Sequence, residues 1–460
     1  MASSDSPTDE PTESSTADTT TALAWWDGAT LTAPTQAVPL DVTSTAQPAV
    51  ADLLAERPRR SPWRPGVLVP IGLVVAVLLA YGVAMAVWPL TAVAPTIADA
   101  KLQPVTSDAA AMSWPKAGAA GVGVDGLADP VSSTDDQSAI ASLTKVVTAL
   151  MVLDESPVTE KDQGRSFDFT YADTLDYWNY RARNESALDV PVGGSLTEYQ
   201  LLEGMLIGSA NNYAALLGAT WWGSDATFAS AATSWLSTRG ISGITIVDPT
   251  GFDYGNTATP AALIDVGELA MDDPVIAGIV AKKKITLPGA GTVENTNELL
   301  KDPGVVGLKT GSLDGYNVVA VKDVELDGTT VQLYSSVVNQ PTDKKRWSVS
   351  RDLLAQLEKQ LRASPDLPAG TTVGTVHTQW GVNVPIVTAK DAAVVLWNGA
   401  KAKVATDLTL GEWEDGAKAG TVTATGPLNT ATVSATLSTE LSGPSLWWRL
   451  THPVDLLGIG

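Results

Sequence analysis

The chain has 460 residues, a formal net charge of −22, a pI near 4.4, no cysteine and two histidines. That length exceeds one ordinary domain, and the charge excludes a nucleic-acid partner, because phosphate recognition needs clustered Lys and Arg. Without cysteine there are no disulfides and no thiolate metal ligands, and no metal or other cofactor is expected.

Residues 1–56 hold nine acidic residues and no Lys or Arg, among many Ser, Thr, Ala and Pro. Such a segment buries too little apolar surface to offset its chain entropy, so a disordered tail is expected. Trp25-Trp26 and the apolar run near Leu31 leave room for a cytoplasmic partner of this tail. A basic flank at 57–65 carries Arg57, Arg59, Arg60 and Arg64, and Val67 to Trp88 then runs without a charge. Those 22 residues rise roughly 33 Å as a helix, enough for a hydrocarbon core of about 30 Å. The expectation is one membrane-spanning helix within 66–90, with Pro70 in its first turn and Pro89 at its exit. Arginines on the N-terminal side alone place the tail inside and the rest of the chain outside.

A linker is expected over 91–116 and a folded unit over 117–364. In that unit Gly118 to Val124 reads as a strand and 142–154 as a buried helix. Thr197-Glu-Tyr-Gln200 has the form of a capping box opening a helix. Val305 to Lys309 reads as a strand, and two alternating runs flank Asp327-Gly328 as a hairpin. Trp347, Leu353, Leu354, Leu357 and Leu361 share one face of a closing helix. Short Val- and Thr-rich runs over 370–445 predict an all-β module, drawn as a small sandwich. The tail 446–460, with Trp447-Trp448-Arg449, rests either on that module or on a membrane.

Three short polar motifs carry the chemistry. Ser142 and Lys145 lie three apart at a helix start and share a face. A lysine amine is a base only when its pKa falls from about 10.4, as burial beside a second cation would cause. Lys145 could then take the Ser142 proton as that oxygen attacks a carbonyl. By itself Ser-x-x-Lys is commonplace; Ser113-Trp-Pro-Lys116 is another, inert in its linker. Ser209-Ala-Asn211 lies between two helices, where Ser209 can relay a proton and Asn211 can bond a substrate amide. Alone it is equally a helix–helix turn held by local bonds. Lys309-Thr310-Gly311 ends an apolar strand and offers a cation, a hydroxyl and room for a close backbone approach. In this order the three motifs supply acyl transfer without histidine.

Together they resemble the penicillin-binding and serine β-lactamase superfamily, and in particular the low-molecular-mass D-alanyl-D-alanine carboxypeptidases. Ile140-Ala-Ser-Leu-Thr-Lys145, Asn297-Glu-Leu-Leu300, Pro303 through Gly311 and Asp248-Pro-Thr-Gly251 strengthen the likeness, which covers roughly 117–362. The resemblance implies an α+β fold, an antiparallel sheet flanked by helices with a helical subdomain, followed by a small all-β domain. It implies Ser142 as nucleophile, Lys145 as its base and Ser209 as proton donor to the leaving group. Asn211, Lys309, Thr310, Gly311 and Ser312 would bind substrate, with the N–H groups of Ser142 and Ser312 as oxyanion hole. The implied partners are a peptidoglycan stem peptide and β-lactams as covalent inhibitors.

Three places depart from the family pattern. Asn212 stands where Asp is frequent, Thr250 where His is usual, and 166–188 reads differently. A β-lactamase is the nearest rival, but no glutamate lies between Asn211 and Pro260. A non-hydrolytic β-lactam sensor on the same fold is the other. A Ser-His-Asp hydrolase is excluded, since His377 and His452 lie outside the unit.

Overall fold

The computed structural model describes residues 65–362 and 367–459; the expectations for 1–56, 57–64 and 363–366 lie outside the described residues. The chain divides into two compact units after Val74. A single helix, α1 (Pro65–Val87), runs across that division and is long and apolar enough to cross a membrane. It begins at Pro65, a favoured first position, so Pro70 sits a turn further in than its sequence position suggested.

The second unit opens with β1 (Thr96–Asp99) and β2 (Val105–Thr106), then β3 (Ala119–Val124) and β4 (Ala128–Ser132). Of the helices that follow, those that carry or adjoin the motifs are α2 (Thr144–Glu155), α3 (Glu198–Ile207), α4 (Asn211–Trp222) and α5 (Pro260–Asp272). Next come β5 (Val305–Ser312), β6 (Tyr316–Leu326), β7 (Thr329–Gln340) and α6 (Asp343–Arg362). Five strands form one antiparallel sheet, ordered β5-β6-β7-β3-β4. Asp327-Gly328 turns β6 into β7 with φ of 48° and 81°, both positive as a type I′ turn needs.

Alternation along the strands buries both faces of this sheet. Val318, Ala320 and Val337 meet Trp347, Leu353 and Leu357 of α6. Val319, Val321 and Tyr334 point the other way, into the core shared with α2 and α5. Burying one such leucine contributes about 1.5–3 kcal/mol. α3 starts at the expected capping box: Thr197 Oγ1 accepts from the Gln200 N–H, and Gln200 Oε1 accepts from the Thr197 N–H. α2 is buried from Thr144 to Leu153, the signature of a core helix. It therefore carries Lys145 into the interior.

The C-terminal strands are β8 (Thr372–His377), β9 (Asn383–Thr388), β10 (Lys401–Leu408), β11 (Lys418–Thr425) and β12 (Thr430–Leu437). They form one sheet, ordered β1-β8-β9-β12-β11-β10-β2. The segment read as a linker thus supplies both edge strands, Ile97 opposite Val376 and Val105 opposite Ala402. Pairing with edges that would otherwise be bare explains why such short runs become strands. The sheet docks on the central unit through Val395 and Trp397, which join the α6 core. Trp397 Nε1 donates to Gln360 Oε1 at 3.2 Å.

α7 (Leu446–Thr451) and α8 (Pro453–Leu457) close the chain against the end of α1. Tyr81 Oη donates to the Leu450 carbonyl at 2.8 Å. Arg449 Nη1 donates to the carbonyls of Met85 and Trp88 at 3.3 and 2.9 Å, satisfying acceptors that a helix end leaves open. Met85, Val93 and Leu456 are buried together there, while Leu446 and Trp447 face outward.

Candidate active site

A short helical turn, Ala141–Leu143, leads into α2 and holds Ser142 one residue beyond Ala141, whose φ is 52°. A non-glycine residue in the left-handed region costs on the order of 1–2 kcal/mol and is held there by its surroundings. The surroundings are visible: a Cβ on Gly251 would lie 2.0 Å from the Ala141 carbonyl oxygen, so the 248–251 turn presses on this backbone. Lys145, fully buried, donates from Nζ to Ser142 Oγ at 2.9 Å, Asn211 Oδ1 at 2.6 Å and the Thr250 carbonyl at 2.5 Å. Ser142 is half-buried.

Ser209, with φ of 59°, sits in the turn between α3 and α4, and Asn211 is the first residue of α4. Ser209 Oγ accepts from Lys309 Nζ at 3.0 Å. Asn211 Nδ2 donates to Glu185 Oε2 at 2.6 Å, a bond for which no sequence spacing rule exists. Asn212, the departure from the family pattern, turns away: its side-chain amide bonds both backbone groups of Leu188. Thr250 uses its hydroxyl within its own turn, donating to Asp248 Oδ1 at 2.5 Å.

β5 runs past Lys309 to Ser312, because pairing with β6 continues through Gly311–Asn317 and Ser312–Tyr316. Thr310 Oγ1 shares a hydrogen bond with Thr296 Oγ1 at 2.7 Å. A Cβ on Gly311 would lie 2.7 Å from the Ile140 carbonyl and 3.1 Å from the Ser142 nitrogen, so glycine lets this strand lie against the nucleophile's backbone. Arg346 of α6 braces the strand from behind, donating from Nη1 to the Gly311 and Asn317 carbonyls at 3.1 Å each. Ser312 is exposed at the mouth. The structure thus brings all eight expected positions to one site and adds Glu185, the Thr250 carbonyl and Arg346. Of these three, the quoted Asp248-Pro-Thr-Gly turn was the one signal in the sequence.

Burial pushes the Lys145 amine down to about 7, against the pull of Asp248 and Glu185. Burial also pushes Lys309 well below its ordinary value, and the nearby charges of Lys145 and Arg346 add to that. Burial alone would raise the Asp248 carboxyl, but bonds from Thr250, Asp253 and Asn256 hold it below the usual range. The site therefore contains a lysine able to be neutral near pH 7, touching a serine hydroxyl.

The family model for D-alanyl-D-alanine carboxypeptidase matches residues 131–340. The D-alanyl-D-alanine carboxypeptidase DacB2 of Mycobacterium tuberculosis is 31% identical over 228 residues, which is 46% of this chain and 72% of that one. Among solved structures, penicillin-binding protein D2 of Listeria monocytogenes in its ampicillin-bound form is 25% identical, with a TM-score of 0.43, over 52% of this chain and 96% of that chain. A D-alanyl-D-alanine carboxypeptidase of M. tuberculosis is 25% identical, with a TM-score of 0.44, over 55% and 94%. The chain belongs to the D-alanyl-D-alanine carboxypeptidase family.

Proposed function

We propose that this chain is a serine D-Ala-D-Ala carboxypeptidase, tethered by α1 with its catalytic unit on the outer face of a bacterial cell membrane. The observation that carries the reading is the 2.9 Å bond between Lys145 Nζ and Ser142 Oγ, beside Asn211 and Lys309. The substrate is a peptidoglycan stem peptide ending in D-Ala-D-Ala. Lys309 and the Thr310 hydroxyl take its terminal carboxylate, and the free Nδ2 hydrogen of Asn211 takes a backbone carbonyl. The neutral Lys145 amine removes the Ser142 proton as Oγ forms a bond to the penultimate carbonyl carbon. The N–H groups of Ser142 and Ser312 hold the oxyanion. Ser209 relays a proton to the departing D-Ala nitrogen as the C–N bond breaks, giving up its own and regaining the one that Lys145 took from Ser142. Water then attacks the acyl-Ser142 ester and releases the shortened peptide. A β-lactam enters by the same first step and remains on Ser142.

Placement of the unit outside rests on the arginines before α1. A fluorescent penicillin is expected to label the protein, and Ser142→Ala to abolish labelling. The wild type is expected to release D-Ala from a diacetyl-Lys-D-Ala-D-Ala peptide. Stable acylation without release would instead identify a sensor on this fold; rapid hydrolysis of penicillin would identify a β-lactamase.

A further inference from the structure

Glu185 is buried, yet it lies in the irregular segment between the helix Tyr171–Ala182 and the short strand Ser195–Thr197, where a carboxylate is ordinarily solvated. Its Oε2 accepts from Asn211 Nδ2 at 2.6 Å, and its Oε1 pairs with Arg183 Nε at 2.7 Å. The segment is stitched to the start of α4 at successive residues. The Asn211 N–H donates to the Ser186 carbonyl at 2.8 Å, Asn212 bonds Leu188, and Tyr213 Oη donates to the Asp189 carbonyl at 2.7 Å. Asn211 Oδ1 in turn accepts from Lys145 Nζ. A side-chain amide has two nearly isosteric ends, and reversing this one would aim an N–H donor at the lysine and an oxygen at a carboxylate. The oxygen–carboxylate contact would be repulsive, and the N–H would clash with the ammonium or occupy the lone pair that the neutral amine needs for the Ser142 proton. From this geometry we infer that Glu185 is a positioning residue for acylation: it fixes the Asn211 amide so that its oxygen faces Lys145 and its second Nδ2 hydrogen stays available to substrate.

The role rests on the assignment of Lys145 as base. The groups facing Lys145 are Ser142 from the turn before α2, Asn211 from α4, and Thr250 with Asp248 from the 248–251 turn. Glu185 from the segment before α3 and Lys309 from β5 complete them. Glu185 is thus one of two anions acting on this amine. Around Glu185 itself stand Asn211, Arg183, Tyr180 and Lys145. With one oxygen on Asn211 and the other on Arg183, the carboxylate stands behind the amide and serves through it.

Glu185→Gln keeps an acceptor for Asn211 Nδ2 and removes the charge; Glu185→Ala removes both. The full-length protein in detergent is acylated with fluorescent penicillin from pH 5.5 to 9. For Glu185→Gln the expected result is a rate at pH 8 within about three-fold of wild type, with the acid limb displaced to lower pH, because an anion that favoured the ammonium is gone. For Glu185→Ala the expected loss is about ten-fold or more at every pH, as an unfixed amide forfeits its bond to the lysine. Glu185→Ala acylating at the wild-type rate, or Glu185→Gln losing as much as Glu185→Ala, overturns the inference, because in the first case the amide is held without the carboxylate and in the second an acceptor at this position does not matter. A wild-type profile without a limb near pH 7 falls instead on the base assignment of Lys145, so the two failures are told apart.

Discussion

Lys145 is held in a state that opposes stability and serves chemistry. Its amine titrates near 7 in the folded chain against 10.5 when free, so the unfolded chain binds more protons between those values. The penalty is fully present below about pH 7, diminishes as pH rises, and vanishes above about 10.5. At its largest it is roughly 5 kcal/mol on the conversion of about 1.4 kcal/mol per pKa unit. Lys145→Met is therefore expected to gain in Tm relative to wild type at pH 6–7 and to lose that advantage toward pH 10, as read by thermal unfolding across pH. If Lys145 is the base as proposed, penicillin acylation of the wild type is expected to rise from pH 6 to 8 around a midpoint near 7. Lys309 differs, since burial, Lys145 and Arg346 all disfavour its charge in the empty site. On the proposed role, a substrate carboxylate supplies the missing counter-charge and raises the Lys309 amine again, so binding a D-Ala-D-Ala peptide to Ser142→Ala is expected to be accompanied by proton uptake. Calorimetry in buffers of different ionisation enthalpy measures that uptake, and a buffer-independent heat would contradict it.

At the scale of elements, two glycines let separate segments meet behind the nucleophile. Gly251, at φ +77°, brings the 248–251 turn onto the Ala141 carbonyl, and Gly311 brings β5 onto Ile140 and Ser142. Gly251→Ala is expected to cost about 2–4 kcal/mol in denaturant unfolding and to slow acylation, because the turn that carries the Thr250 carbonyl must move. Gly311→Ala is expected to slow acylation with a smaller loss of stability, since its own φ is not in the left-handed region. The elements that bear the motifs were legible in the sequence because local signals agree with the tertiary fold. Asp327-Gly328 demanded a hairpin, Thr197 and Gln200 capped their helix, and Trp347 to Leu361 kept one face of α6. What escaped was decided by distant partners. β5 extends to Ser312 through its pairing with β6, and Glu185 reaches Asn211 from 26 residues away along the chain without a periodic spacing. Arg346 read as one polar residue of a closing helix until its carbonyl partners on β5 and β6 were seen.

On the scale of the whole molecule, the C-terminal sheet takes in β1 and β2 from the stretch that follows α1. β1 and β2, two to four residues each, carry no pattern that a sequence could reveal, and only the edges they meet make them strands. Arg449 and Tyr81 join α7 to the end of α1. Combining Arg449→Ala with Tyr81→Phe is expected to raise hydrogen exchange over 88–99 while leaving penicillin acylation within about two-fold, since neither residue approaches Ser142. Unchanged exchange would mean that the strand pairing of β1 suffices by itself. The route from α1 to the sheet spans only the eight residues from Trp88 to Pro95, at most about 28 Å if fully extended. If α1 spans the membrane as proposed, so short a tether holds the folded domain near the lipid surface. On the topology proposed above, it would reach only those stem peptides that pass close above the lipid surface.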